Sequence, residues 1–201
     1  MHENVDNLIN FLNDTIVFNQ PIEIPLEYTL VVKPDPVMAK KISSFITLAS
    51  EQDPGHIFYS PENLHATIYA PINIENSVDN LRSFLAEELS GKELIFDVRG
   101  LSSSVIGVRP VNFSLFDLRH KMMNFLGDSA RAKRNRTIEL MSWMNFVRFR
   151  DKPSDQYYDF IAKNREKSFG QFKPSSLELY KNRSKILNNS TEKIFSIDLA
   201  K

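Results

Sequence analysis

An α+β fold is predicted, with helices packed on antiparallel sheets. Three observations predict it. Strand-like and helix-like segments follow one another in a mixed order that is neither a strict alternation nor a run of one kind. The apolar stripes switch between a period of two and a period near 3.6 along the chain. The two halves are loosely alike, each with a helix followed by a strand that carries a candidate site motif.

The elements read in order as follows. Val5, Leu8, Ile9 and Leu12 suggest a short leading helix, and Pro21 and Pro25 break the chain after it. A strand is expected from Tyr28 to Lys33, ended by Pro34 and Pro36. Met38, Ile42, Phe45 and Ala49 then recur at helical spacing. Asp53-Pro54-Gly55 is a turn, Ile57 to Tyr59 is strand-like, and a further strand contains His65 and ends near Pro71. Ser77 to Ser90 reads as a helix with Ser77 as N-cap and Gly91 past its end. Strands are expected over Glu93–Arg99 and Ser104–Arg109. Leu115, Leu118, Met122 and Phe125 mark a third helix that stops near Gly127. A strand over Trp143–Phe149, a helix over Ser154–Asn164 and strands over Leu177–Tyr180 and Ile194–Leu199 complete the chain. Residues 1–24 are read as an N-terminal extension, and 25–201 as one domain.

Composition narrows the function classes. The 201 residues carry 25 basic and 25 acidic side chains, so global charge gives no reason to expect nucleic acid or a membrane, and anion binding has to be local. Fifteen Phe and six Tyr supply a substantial core. There is no cysteine, which excludes disulfides, thiolate metal sites and a cysteine nucleophile. The polar, acidic start Met1-His2-Glu3-Asn4-Val5-Asp6 does not resemble a signal peptide, and no stretch has the length of a membrane span. A cytoplasmic, monomeric protein without a membrane partner is expected.

The segment Asn63-Leu64-His65-Ala66-Thr67-Ile68-Tyr69 carries the chemistry. Side chains two apart on a strand point the same way, so His65 and Thr67 share a face, and Tyr69 is expected to line the same cleft. Histidine titrates near neutral pH and suits general acid–base work, while a hydroxyl beside it can donate to a phosphate oxygen. Alone, a His-x-Thr triplet is weak evidence, because such triplets arise by chance. The basic run Arg131-Ala132-Lys133-Arg134-Asn135-Arg136, with Arg148 and Arg150, offers phosphate contacts or simply a solvated loop.

From about Tyr28 to Leu199 the chain resembles the two-histidine (2H) phosphoesterases, the superfamily of RNA 2′,3′-cyclic phosphodiesterases and 2′-5′ RNA ligases. The resemblance rests on Tyr28-Thr29-Leu30-Val31-Val32, on Pro61-Glu62-Asn63-Leu64-His65-Ala66-Thr67-Ile68, on Leu118-Arg119, and on Ser176-Leu177-Glu178-Leu179-Tyr180. It implies a bilobal, pseudo-symmetric pair of antiparallel sheets with helices outside and a central cleft. It also implies metal-independent chemistry without a cofactor, in which two histidines bracket a phosphate. His65 and Thr67 would form the catalytic half that survives. The second motif falls in Ser142-Trp143-Met144-Asn145-Phe146-Val147-Arg148-Phe149. There Trp143 stands where the resemblance calls for histidine, and Asn145 where it calls for threonine. An indole N–H only donates, so Trp143 cannot shuttle protons, although it can stack a base or sugar. Trp143, Asn145, Arg148 and Tyr69 are the candidate binding residues, and no metal ligand is expected. The expected ligand is a nucleotide or RNA end with a cyclic or 2′-5′ phosphate, bound with weak or no turnover. Two alternatives stand beside it. One is an active phosphodiesterase that uses His65 with an unconventional partner such as His56, and the other is a non-catalytic interaction domain that keeps the fold.

Overall fold

The computed structural model describes residues 27–72, 78–127, 140–182 and 191–199, so the expected leading helix and the basic run 131–136 lie outside it. Among these residues, ten strands and four helices follow in the order β1 (Glu27–Val32), α1 (Pro36–Gln52), β2 (Ile57–Phe58), β3 (Ala66–Ile72), α2 (Val78–Leu89), β4 (Phe96–Leu101), β5 (Val105–Pro110), α3 (Leu115–Leu126), β6 (Ser142–Asn145), β7 (Val147–Arg148), α4 (Asp155–Lys163), β8 (Ser168–Phe172), β9 (Ser176–Asn182) and β10 (Thr191–Asp198). Eight strands form one antiparallel sheet in the order β10-β9-β1-β3-β6-β5-β4-β8, and β2 pairs with β7 in a small second sheet. The expected bilobal pair is present as two four-stranded halves that meet at β3 and β6.

The helix ends follow from local chemistry. Asp35 caps α1 by accepting from the Met38 N–H at 2.8 Å, and Pro36 occupies the first turn, where it has no hydrogen bond to lose. Ser114 and Ser154 cap α3 and α4 in the same way. Gly127 ends α3 in the left-handed region, at φ 67°.

The sheet sorts its side chains by pleat. Leu177, Val32, Ala66, Met144, Ile106 and Leu101 are successive cross-strand partners from β9 to β4. All six are buried, so this row faces the core. Phe45 of α1 ties the core together. Its ring stacks on Phe160 of α4 at 5.6 Å and meets Phe146 and Phe169 edge-on at 5.6 and 5.7 Å. The neighbouring positions on each strand point to the other face, where the candidate site lies.

Three sequence expectations change. The strand expected over Trp143–Phe149 breaks at Phe146, whose N–H donates to Ser104 O and whose carbonyl accepts from the Tyr59 N–H. The chain thereby leaves the large sheet as β6 and joins the small one as β7. Strand β8 was not expected at all. Its phenylalanines, Phe169 and Phe172, are three apart, because Gly170 at φ 97° sits in a register shift against β4. Tyr69 does not line the cleft. Val31 pairs with Thr67 but Leu30 with Tyr69, so β3 holds an extra residue, and Ile68 and Tyr69 both turn into the core.

The seam between the halves is narrow. Ala66↔Met144 is the pair that joins β3 to β6. Arg119 of α3 compensates beside it. Its guanidinium donates to the carbonyls of Ile68 (2.7 Å), Met141 (3.0 Å) and Thr67 (3.2 Å). The buried Ser142 hydroxyl also donates to Thr67 O, at 2.5 Å. These carbonyls need donors because buried, unpaired backbone groups are costly. Arg119→Met is expected to lower unfolding free energy by about 3 kcal/mol, measured by urea denaturation, since charged hydrogen bonds and several carbonyl partners are lost together.

Candidate functional site

The site lies on the face opposite the core, across the seam. Ala66 and Met144 are partners and point inward, so the residues flanking each point outward. Carrying that antiparallel register one residue either way sets His65 opposite Asn145 and Thr67 opposite Trp143. All four are partly exposed on this one face. The arrangement has a local twofold character, with His65 related to Trp143 and Thr67 to Asn145. His65 and Trp143 are diagonal neighbours, and such neighbours lie roughly 7–8 Å apart.

His65 precedes β3 rather than sitting within it, just after a 3-10 turn over Pro61–Asn63. The turn matters to its chemistry. The Nδ1 atom lies 2.8 Å from Asn63 O, a carbonyl that can only accept, so Nδ1 carries the proton. That leaves Nε2 as the basic nitrogen. Burial lowers the imidazole's pKa below the ordinary 6.5, the Asn63 carbonyl partly opposes this, and the charges of Lys33 and Arg148 lower it further. A neutral ring at pH 7 with Nε2 unprotonated is the form a general base requires.

Arg148 belongs to the small sheet, where it pairs with Ile57. Its Nε donates to Tyr59 Oη at 3.0 Å, and the Tyr59 ring lies 6.5 Å from that of His65. The break at Phe146 is what brings Arg148 beside the histidine from a second sheet. Trp143 is flanked on β5 by Gly107. A Cβ at Gly107 would meet Arg99 O at 2.5 Å, which accounts for glycine there and leaves no β5 side chain beside the indole.

His56 does not reach this face. Its Nε2 lies 3.2 Å from Asp53, its Nδ1 accepts from the Arg150 N–H at 3.4 Å, and its ring packs edge-on against Phe149. The ring thus ties the turn after α1 to the segment that follows β7. The His120 ring lies 4.4 Å from Phe116 on α3. Among the described residues there is no cluster of metal-ligating side chains. No helix in the described residues is long and apolar enough to cross a membrane.

Residues that the sequence did not single out also border the site. Lys33 follows β1 next to His65, while Glu178 and Tyr180 lie on β9 beyond β1. Only the pairing register reveals them, because their sequence separation from His65 is large.

No family model and no curated protein matches the sequence. Solved structures do match. TT0787 of Thermus thermophilus superposes with a TM-score of 0.62 over 88% of this chain and 98% of its own, at 14% identity. The chain shares the fold of E. coli LigT. E. coli LigT complexed with ATP matches over 89% of this chain and 100% of its own, with a TM-score of 0.53 and 12% identity. The complex of LigT with 3′-AMP gives 0.54 and 12%. At these identities the likeness to LigT concerns the fold and does not extend to individual side chains.

The electrostatics of His65 are directly measurable. Its imidazole is expected to titrate by NMR with a midpoint below 6.5. Arg148→Met should raise that midpoint, because removing a nearby cation favours the protonated ring. An unchanged midpoint in the variant would place Arg148 too far away to act.

Proposed function

We propose that the cleft over the β3–β6 seam binds the phosphate end of a nucleotide or RNA, and that the protein turns such ligands over weakly or not at all. The observation that carries this reading is the facing pair of motifs. His65 and Thr67 share one open face with Trp143 and Asn145, in antiparallel register.

Each residue then has a role. Nε2 of His65 accepts a proton from an attacking hydroxyl or water, or holds a protonated phosphate oxygen. The Thr67 hydroxyl and the Asn145 amide donate to non-bridging oxygens. Arg148 neutralises phosphate charge from the small sheet. The Trp143 indole offers its face to a base or sugar. A balanced displacement at phosphorus also needs an acid to protonate the leaving oxygen. Trp143 occupies that position and has no exchangeable lone pair with which to shuttle a proton. One positioned acid or base is worth roughly 10² to 10⁴ in rate, so a site with one proton carrier is a binder first and at most a slow enzyme. The complexes of E. coli LigT with ATP, 3′-AMP and phosphate support the choice of ligand class.

The test combines binding and turnover. Calorimetry with adenosine 2′,3′-cyclic monophosphate and adenosine 3′-monophosphate should detect binding, with Asn145→Ala and Arg148→Ala each weakening it about tenfold. Trp143→His should raise hydrolysis of the cyclic nucleotide by about 10² or more, and a second change, His65→Ala, should abolish the gain. Efficient turnover by the unaltered protein that depends on His65 would replace this reading with that of a working phosphodiesterase. Binding of neither nucleotide would remove it.

A further inference from the structure

We propose that Lys33 is a second phosphate-binding cation of the cleft, tethered beside His65 by the buried carboxylate of Glu178. This assignment rests on the reading of the cleft as a phosphate site and adds a residue to it.

The placement follows from register. Val32 pairs with Ala66, so Lys33 follows on the His65 side, one residue along and pointing to the open face. Across the sheet, His65 then lies between Lys33 and Asn145. On the neighbouring row, Glu178 pairs with Val31, and Val31 pairs with Thr67. Glu178 is thus on the cleft face, yet it is only 8% exposed.

A carboxylate so deeply placed is stable only when its charge is met by donors. Among the described residues, three meet that of Glu178. The Tyr180 hydroxyl donates to Oε2 at 2.6 Å, Lys193 lies 3.3 Å from Oε1, and Lys33 lies 3.8 Å from Oε2. The Tyr180 and Lys193 contacts are the short ones and satisfy most of its need. The Lys33 contact is long, which makes it a tether rather than a closed ion pair. The Lys33 ammonium also donates to Glu62 O at 3.3 Å and lies 5.4 Å from the Tyr180 ring centre. Its side chain remains 42% exposed. An ammonium has three donors, and these contacts leave capacity for an incoming oxygen. Burial and the adjacent Glu178 push the Tyr180 phenol above its ordinary range, so it stays protonated and keeps donating.

The charge of Lys33 reaches His65, as does that of Arg148. The two come from different elements, Lys33 from the end of β1 and Arg148 from the small sheet. A phosphate seated at Nε2 of His65 would therefore meet two cations rather than one. Lys33 adds what Trp143 cannot supply, because a protonated histidine in a second motif would bring positive charge and an indole does not.

The experiment compares adenosine 3′-monophosphate with adenosine, which lacks the phosphate. Lys33→Met should weaken the nucleotide about tenfold and leave adenosine unchanged. Lys33→Arg, which keeps the charge, should stay within about threefold of the unaltered protein. Lys121→Met removes the same charge from α3, where the ammonium is held by Glu88, and should leave nucleotide affinity unchanged. The salt dependence of nucleotide binding should become shallower in Lys33→Met alone. Equal losses in Lys33→Met and Lys121→Met would overturn the assignment, as would full affinity in a folded Lys33→Met, with folding checked by circular dichroism. If the unaltered protein binds the nucleotide and Lys33→Met binds it equally well, the assignment to Lys33 falls and the phosphate site stands. If the unaltered protein binds no nucleotide, both fall together.

Discussion

The two halves of the sheet meet through the pair Ala66↔Met144, and the Arg119 guanidinium holds the backbone on either side of it. A seam this short leaves carbonyls of β3, and that of Met141 just before β6, to be met by other donors. Water could satisfy them only by entering the core, and Arg119 satisfies them from below instead. The consequence reaches the opposite face. With the carbonyls fixed, the flanking side chains His65, Thr67, Trp143 and Asn145 are fixed as well, all pointing away from the core.

Charge at this site is local and comes from several elements. The whole chain is balanced, with 25 basic and 25 acidic residues. Around His65, however, Lys33 and Arg148 lower its proton affinity, and the carboxylate of Glu178 is kept occupied by Tyr180 and Lys193. The Nδ1 contact to Asn63 O fixes the tautomer before any ligand arrives. Such preorganisation suits recognition of an anion, since the donors need not reorient when it binds. One proton carrier near two cations is the arrangement on which the proposed phosphate site rests.

Much of this was readable in the chain. The helical stripes appear where the sequence places them, within a few residues, and α3 stops at Gly127 as read, whereas the N-cap read at Ser77 lies outside the described residues. The facing of His65 and Thr67 follows from strand alternation alone. What the sequence concealed was non-local. Tyr69 breaks the alternation because a register shift against β1 inserts one residue, and nothing near Tyr69 announces the shift. Strand β8 hides its period behind Gly170. Lys33 and Glu178 border the site only through pairings that span tens of residues. The break at Phe146 is also tertiary in origin, since it depends on bonds to Ser104 and Tyr59.

The central claim is that the β3–β6 seam carries one phosphate-binding cleft with a single proton carrier. A crystal structure of the protein with adenosine 3′-monophosphate tests it most directly. The account predicts the phosphate between the two motifs, with an oxygen within about 3 Å of His65 Nε2 and another on the Asn145 amide. A phosphate bound elsewhere on the surface, or an indole of Trp143 lying across the interval and filling it, would contradict it.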